Sequence, residues 1–291
     1  MPVAISPIGL LGMQSADGEI KAARAAKAFG VPFTLSTMSI CSIEDVAKGT
    51  DGHPFWFQLY MMRDREAMAR MIERCKVAQC SALVLTLDLQ VIGQRHKDIK
   101  NGLSAPPRPT LRNILNLLTK PRWCMGMAMT PRRTFRNIVG HATGVGNMSS
   151  LSSWTAEQFD PGLSWDDVEW IKKLWGGKLI IKGILDEEDA RFAANSGADA
   201  LIVSNHGGRQ LDGSRSPFDQ VKAISDAVGD KLEIILDGGV RRGTHVLKAL
   251  AAGAKACSFG KMFLFALSAG GQKGVEKLLQ NMKDEIYRNM V

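Results

Sequence analysis

The fold that this sequence predicts is α/β, a (β/α)8 TIM barrel with a long insertion after strand 4, and three observations predict it. Eight short apolar runs recur along the 291 residues, each followed by a segment whose apolar residues return at helical spacing. The runs do not alternate apolar with polar, as expected of parallel strands covered on both faces. No segment is repeated, and the length suits one large barrel. A doubly wound open sheet is the alternative, but it rarely needs eight such regular units.

The runs follow in order. Val3–Ser6 is the first strand, and Asp17–Phe29 is a helix that Gly30 stops. Phe33–Leu35 is the second strand, and Ser42–Asp45 opens a short helix. The aromatic run Phe55–Tyr60 is the third strand, followed by an amphipathic helix over Asp64–Val77 with an acid as its cap. Ala82–Leu87 is the fourth strand and ends at Asp88. The alternation then pauses over 89–164, which holds one helical piece near Leu111–Leu118 and several prolines. A connection this long inside a compact domain is usually functional or mobile. Helix Trp165–Trp175 and strand Lys178–Lys182 resume the pattern. Helix Glu187–Ser196, strand Ala200–Val203 and a helix over Pro217–Val228 come next, the last with proline in its first turn. Leu232–Asp237, a helix over Thr244–Ala252, Ala256–Phe259 and a helix over Gly274–Arg288 complete the eight units. The whole of 1–291 therefore reads as one domain, with 89–164 as an insertion within it.

Composition narrows the function. Hydrophobic residues make up 45% and charged residues 23%, ordinary values for a globular protein. There is no apolar run of the length that spans a membrane and no secretory signal at the N-terminus. The five cysteines have no C-x-x-C spacing, which favours neither a disulfide framework nor a metal site and fits a reducing cytoplasm. Ten of the Lys and Arg residues but only three acids lie in 89–164, so +7 of the net +8 belongs to that insertion. A local basic patch fits a phosphate group or an anionic membrane surface. A nucleic-acid role lacks any recognition motif.

The strand ends carry the chemistry, because a barrel of this kind builds its site there. The sixth strand runs into Ser204-Asn205-His206-Gly207-Gly208-Arg209. A histidine such as His206 can serve as a base, and Arg209 can hold a carboxylate by two parallel hydrogen bonds. The pair points to proton abstraction from a small carboxylic acid. Other strands end in Pro7-Ile8-Gly9, Ser36, Gln58 with Tyr60, Thr86 with Asp88, and Lys182. The seventh and eighth end in Asp237-Gly238-Gly239-Val240-Arg241 and Gly260-Lys261, glycine-rich turns with cations that suit a phosphate.

These segments, together with Gly93–Gly102, resemble the FMN-dependent α-hydroxy-acid dehydrogenase/oxidase family over essentially the whole chain. Ser6–Gly9 and Leu35–Ser39 look most like the bacterial L-lactate dehydrogenases of that family. The resemblance implies FMN as cofactor and oxidation of an L-2-hydroxy acid, L-lactate to pyruvate above all, with quinone or another acceptor taking the electrons. It implies that Pro7, Ile8 and Gly9 lie along the flavin. Ser36, Gln58, Thr86 and Ser204 would bond its ring or ribityl chain, and Lys182 would sit near N1. Asp237, Gly238, Gly239, Arg241, Gly260 and Lys261 would hold the ribityl and phosphate. Tyr60, Arg95 and Arg209 would face the substrate, with His206 the base and Asp88 its partner. No metal is expected, and a homo-oligomer is.

The sequence departs from the family in three places. It opens at the first barrel strand, without the helical segment whose tyrosine touches substrate and flavin, and it ends inside the last helix. Lys261 stands where arginine is usual. A shortened chain is the expectation. The basic insertion, with Trp123, Met125, Met127 and Met129 among its arginines, implies peripheral attachment to the inner face of the cell membrane. Two other readings stand: a glycolate-type oxidase that uses oxygen, and an FMN-binding barrel without turnover.

Overall fold

A computed structural model describes residues 1–90, 93, 96–101, 110–141, 158–211 and 213–291, with the backbone alone at 98 and 99. Eight parallel strands form the sheet: β1 (Val3–Ile5), β2 (Thr34–Ser36), β3 (Trp56–Tyr60), β4 (Ala82–Thr86), β5 (Leu179–Ile184), β6 (Ala200–Val203), β7 (Glu233–Asp237) and β8 (Ala256–Phe259). Their order is β1-β8-β7-β6-β5-β4-β3-β2. The β1–β2 seam is bridged between Ile5 and Phe33, with Ile5 N donating to Pro32 O at 2.8 Å. The predicted barrel is therefore present, and its insertion leaves after β4.

Helices cover the outside. These are α1 (Leu11–Gln14), α2 (Gly18–Phe29), α3 (Ile43–Gly49) and α4 (Arg65–Val77) before the insertion. Within it lie α5 (His96–Lys100), α6 (Leu111–Leu117) and α7 (Pro121–Met129). After it come α8 (Trp165–Trp175), α9 (Glu187–Asn195), α10 (Pro217–Val228), α11 (Gly243–Ala251) and α12 (Lys261–Met290). Local chemistry starts several of them. Ser42 and Asp45 form a reciprocal capping box on α3, and the Asp64 carboxylate accepts from Ala67 N at 2.8 Å on α4.

The structure corrects three sequence expectations. The insertion holds three described helices rather than one piece, because Pro121 starts a second helix that its prolines and glycine obscured. The last helix begins at Lys261, directly after β8, and Gly271 breaks it with a φ of 59°. The β5 strand runs two residues further than the apolar run, through an irregularity between Lys182 and Ile184.

Two apolar layers result. Ala82, Val84, Ile180, Ala200, Ile202 and Ile235, with Trp56 and Ala256 against them, fill the barrel interior. A larger cluster lies between the strands and the helices. The insertion is pinned to the barrel on both sides. Arg132 pairs with Asp17 and Asp45 at 3.0 Å each. Arg65 pairs with Asp160 and Asp167 at 2.9 and 2.8 Å. No described helix is long and apolar enough to cross a membrane.

Candidate active site

Strand parity assembles the site. Residues two apart on a strand face the same way. The interior column of each strand therefore climbs from the apolar layer to one polar residue at its C-terminal end. Those residues are Ser6, Ser36, Gln58, Thr86, Lys182, Ser204, Asp237 and Ser258, and all are buried.

Asp237, at the end of β7, is tied to four other strands. Its Oδ1 accepts from Ser6 Oγ at 2.7 Å and Ser258 Oγ at 2.8 Å. Its Oδ2 accepts from Ser204 Oγ at 2.8 Å and lies 3.5 Å from Lys182 Nζ. Burial pushes the Asp237 carboxyl up, but the Lys182 charge and the three hydroxyls outweigh it and hold the group below the usual carboxylate range. The Ser204 hydroxyl spends its proton on Asp237 and accepts from Lys182 Nζ at 2.9 Å and His206 N at 3.1 Å. One donor and two lone pairs are thus all used.

Beyond β6 the chain turns on three consecutive residues with positive φ: His206 (58°), Gly207 (67°) and Gly208 (68°). Glycine accepts this conformation freely, whereas His206 bears its strain. The turn sets His206 Nδ1 2.8 Å from Asp88 Oδ1. A carboxylate only accepts, so Nδ1 carries the proton of the neutral ring and Nε2 remains as the basic nitrogen. Asp88 Oδ2 is buried 3.9 Å from Lys182 Nζ, without a hydrogen-bond partner among the described residues.

The remaining predicted residues gather around this centre. Ser36 Oγ donates to Gln58 Oε1 at 3.1 Å. Gln58 Nε2 and Thr86 Oγ1 are buried without partners among the described residues. The Tyr60 ring stands edge-on to Phe159, which returns from the insertion, at 5.8 Å between centroids. Arg209 is exposed on the same turn as His206. A Cβ at Gly93 would fall 2.9 Å from Arg209 O, so the start of the insertion abuts that turn. Arg95 lies outside the described residues.

On the other side, Leu10 N donates to Met38 O at 2.9 Å and joins the Pro7-Ile8-Gly9 turn to the loop after β2. Gly238 and Gly239 have φ of 120° and 73°, Arg241 is exposed, and Lys261 Nζ donates to Gly207 O at 3.2 Å. A groove of about 580 Å³, lined by Ser42, Glu44, Arg136 and His141 among others, lies beside α3 and away from this ring of polar groups.

Sequence reasoning missed Ser6 and Ser258. Counting back by two from the apolar interior would have found both. It also missed Asn137, which is buried in the insertion and whose Nδ2 donates to Ser39 Oγ at 2.9 Å. No sequence signal marks that contact.

The comparisons agree with this geometry. The sequence model of a family described as FMN-dependent dehydrogenase matches residues 1–291. The L-lactate dehydrogenase of Xanthomonas campestris pv. campestris (strain B100) is 46% identical over 292 residues, covering 100% of this chain and 75% of that one. The L-lactate dehydrogenase of Ectopseudomonas mendocina (strain ymp) is 45% identical over 292 residues, covering 100% and 76%. Among solved structures, the monotopic membrane protein (S)-mandelate dehydrogenase superposes with a TM-score of 0.93 at 36% identity, covering 100% of this chain and 76% of that one. Mandelate oxidase with (S)-4-hydroxymandelic acid gives 0.84 at 34%, covering 100% and 75%. A barrel that carries a His–carboxylate pair and a buried lysine at its mouth, with glycine-rich turns after β7 and β8, is the frame of an enzyme. The chain belongs to the FMN-dependent dehydrogenase family, and FMN is its cofactor.

The residues fit that group. Gln58 Nε2 and Thr86 Oγ1 are buried polar atoms in want of partners at the mouth, as the polar edge of a planar ring requires. Lys182 supplies a buried cation, and the Gly238-Gly239 and Gly260-Lys261 turns supply open backbone and charge for a phosphate.

Proposed function

We propose that this chain oxidises an L-2-hydroxy acid to the 2-oxo acid, with L-lactate to pyruvate as the reaction of first choice. The 2.8 Å contact between His206 Nδ1 and Asp88 Oδ1, beside buried Lys182, carries this reading. The names of the 45–46% identical relatives support the substrate class.

In this reading Arg209, with Arg95 and Tyr60, holds the carboxylate and sets the α-carbon towards the cofactor. His206 Nε2 takes one proton, from the α-carbon or from the hydroxyl. Asp88 keeps the ring in the required tautomer and stabilises the imidazolium that results. FMN, when bound, would supply the acceptor for the two electrons and for the second proton that leave the substrate. Lys182 sits where its charge offsets the negative charge that arrives with them. Ser36, Gln58, Thr86, Ser204 and Pro7-Ile8-Gly9 would cradle the ring and ribityl chain. Asp237, Gly238, Gly239, Arg241, Gly260 and Lys261 would hold the chain's phosphate end.

The same reading takes 1–291 as one barrel domain that works as a homo-oligomer. It places the insertion 89–164 on the inner face of the cell membrane, where quinone would receive the electrons. The exposed leucines of α6 and a membrane-bound structural neighbour support that placement.

A spectrum of the purified protein tests the core of the proposal. It should be yellow with bound FMN, and anaerobic L-lactate should bleach it. Yellow protein that no 2-hydroxy acid bleaches would instead support an FMN-binding barrel without turnover. Bleached protein that oxygen reoxidises within the turnover time would favour an oxidase.

A further inference from the structure

The bulge in β5 bears on the reaction although none of the roles above uses it. Ile180 faces the barrel interior, and two residues on Lys182 follows it to the mouth. Strict alternation would send Ile184 the same way. Ile184 instead packs in the outer core with Ile181. The pairing with β6 slips there: Lys182 is opposite Ile202, and Ile184 is opposite Val203. One extra residue, Gly183, absorbs the slip with a φ of 107°. A glycine at a bulge often marks a close approach of another chain segment.

Asp88 is the segment that approaches. A Cβ built on Gly183 would lie 2.7 Å from Asp88 Cβ, 2.9 Å from its Cγ and 3.0 Å from its backbone N. The Cβ and the backbone N do not move with the rotamer, so a rotamer change relieves only the Cγ contact. Leu87 N donates to Lys182 O at 2.9 Å, which locks the two strands together immediately before the contact. The carboxylate that meets His206 at 2.8 Å thus leans on the bare α-carbon of Gly183.

We propose that Gly183 is a positioning residue for the Asp88–His206 pair, leaving at the mouth the space in which Asp88 reaches the imidazole. This rests on the reading of His206 as base and Asp88 as its partner. Any side chain at 183 displaces Asp88 from the ring. Several charged groups stand around His206. Asp88 touches it from the end of β4. Lys182 on β5 and Asp237 on β7 act through Ser204, Lys261 bonds Gly207 O, and Arg209 lies on the same turn. Asp88 is in hydrogen-bond contact with the ring, so its displacement acts on the base directly. Less Asp88 contact means less support for the imidazolium that forms, so proton removal slows.

The test uses FMN-loaded Gly183→Ala, Asp88→Asn and the double variant, with L-lactate as substrate. Gly183→Ala should retain FMN and lose kcat by at least tenfold, with the acid limb of kcat/KM moved to lower pH. Asp88→Asn should do the same, and the double variant should be little worse than the worse single one, because both changes break one contact. Folded Gly183→Ala with wild-type kcat and pH profile overturns the proposal, as does a loss that multiplies with that of Asp88→Asn. If Asp88→Asn alone leaves kcat and the profile unchanged, the underlying His–Asp reading fails instead. If Gly183→Ala does not fold, Gly183→Ala with Asp88→Gly decides: recovered soluble, FMN-binding protein supports the steric contact, and no recovery overturns it.

Discussion

The Lys182 ammonium lies 3.5 Å from Asp237 Oδ2, and both side chains are buried at the mouth of the barrel. A buried ion pair adds little to stability by itself, but removing one partner strands the other charge. Asp237→Asn should therefore lower stability by about 3 kcal/mol at pH 7. The pH dependence has a definite sign. The folded carboxyl is held below its ordinary value of 3.8, so its contribution is complete above that pH and is lost as the pH falls through the lower folded value. Thermal melts of wild type and variant should converge as the pH drops below 3.8, and a constant gap would count against the pair.

His206→Gln removes the base and spares every contact made by the ring of buried polar groups, while Asp88 loses its imidazole partner. FMN should stay bound, while anaerobic reduction by L-lactate should slow by about 10²–10⁴-fold. Stopped-flow absorbance of the flavin measures both. Near-normal reduction would remove His206 from its role.

Arg209→Lys keeps the charge and loses the planar fork. KM for L-lactate should rise by about tenfold to a hundredfold, since a charge-assisted hydrogen bond contributes about 1.5–3 kcal/mol. Steady-state kinetics at saturating acceptor give the value, and an unchanged KM would argue against a carboxylate clamp.

Helix α6 and its C-terminal cap Leu118 carry Leu111, Ile114, Leu115 and Leu118 at the i, i+3, i+4, i+7 spacing of one face, and each is at least 51% exposed. Arg112, Lys120 and Arg122 are near it in the sequence, and all three are exposed. Such a helix suits the surface of an anionic bilayer. The double variant Leu115→Glu, Leu118→Glu should stop co-sedimentation with vesicles containing anionic lipid. Its activity with a soluble acceptor should be unchanged. Equal sedimentation of wild type and variant would exclude this face.

Much of the fold was legible because each element has a local cause. The eight apolar runs, the Ser42–Asp45 box, Asp64 and Pro217 announce strands and helix starts without reference to the rest of the chain. Helix α7 and the early start of α12 were not legible. Their glycines lower helix propensity; Pro121 opens α7, and the buried face of α12, with Phe263 and Leu267 in its first turns, overrides it there. The β5 bulge has no local signature beyond one glycine.

Of the site, the residue types were determined by the sequence alone: a histidine and an arginine on one glycine turn, an acid and a lysine at strand ends, and cations beside glycines. Only the tertiary structure decided which of them touch. His206 and Asp88 are 118 positions apart, and Ser6 and Asp237 are 231 apart. Their contacts come from barrel closure and strand register, which fix side-chain direction to within one residue. The same closure brings Gly183 against Asp88, where the absence of a side chain matters as much as the presence of the charged ones.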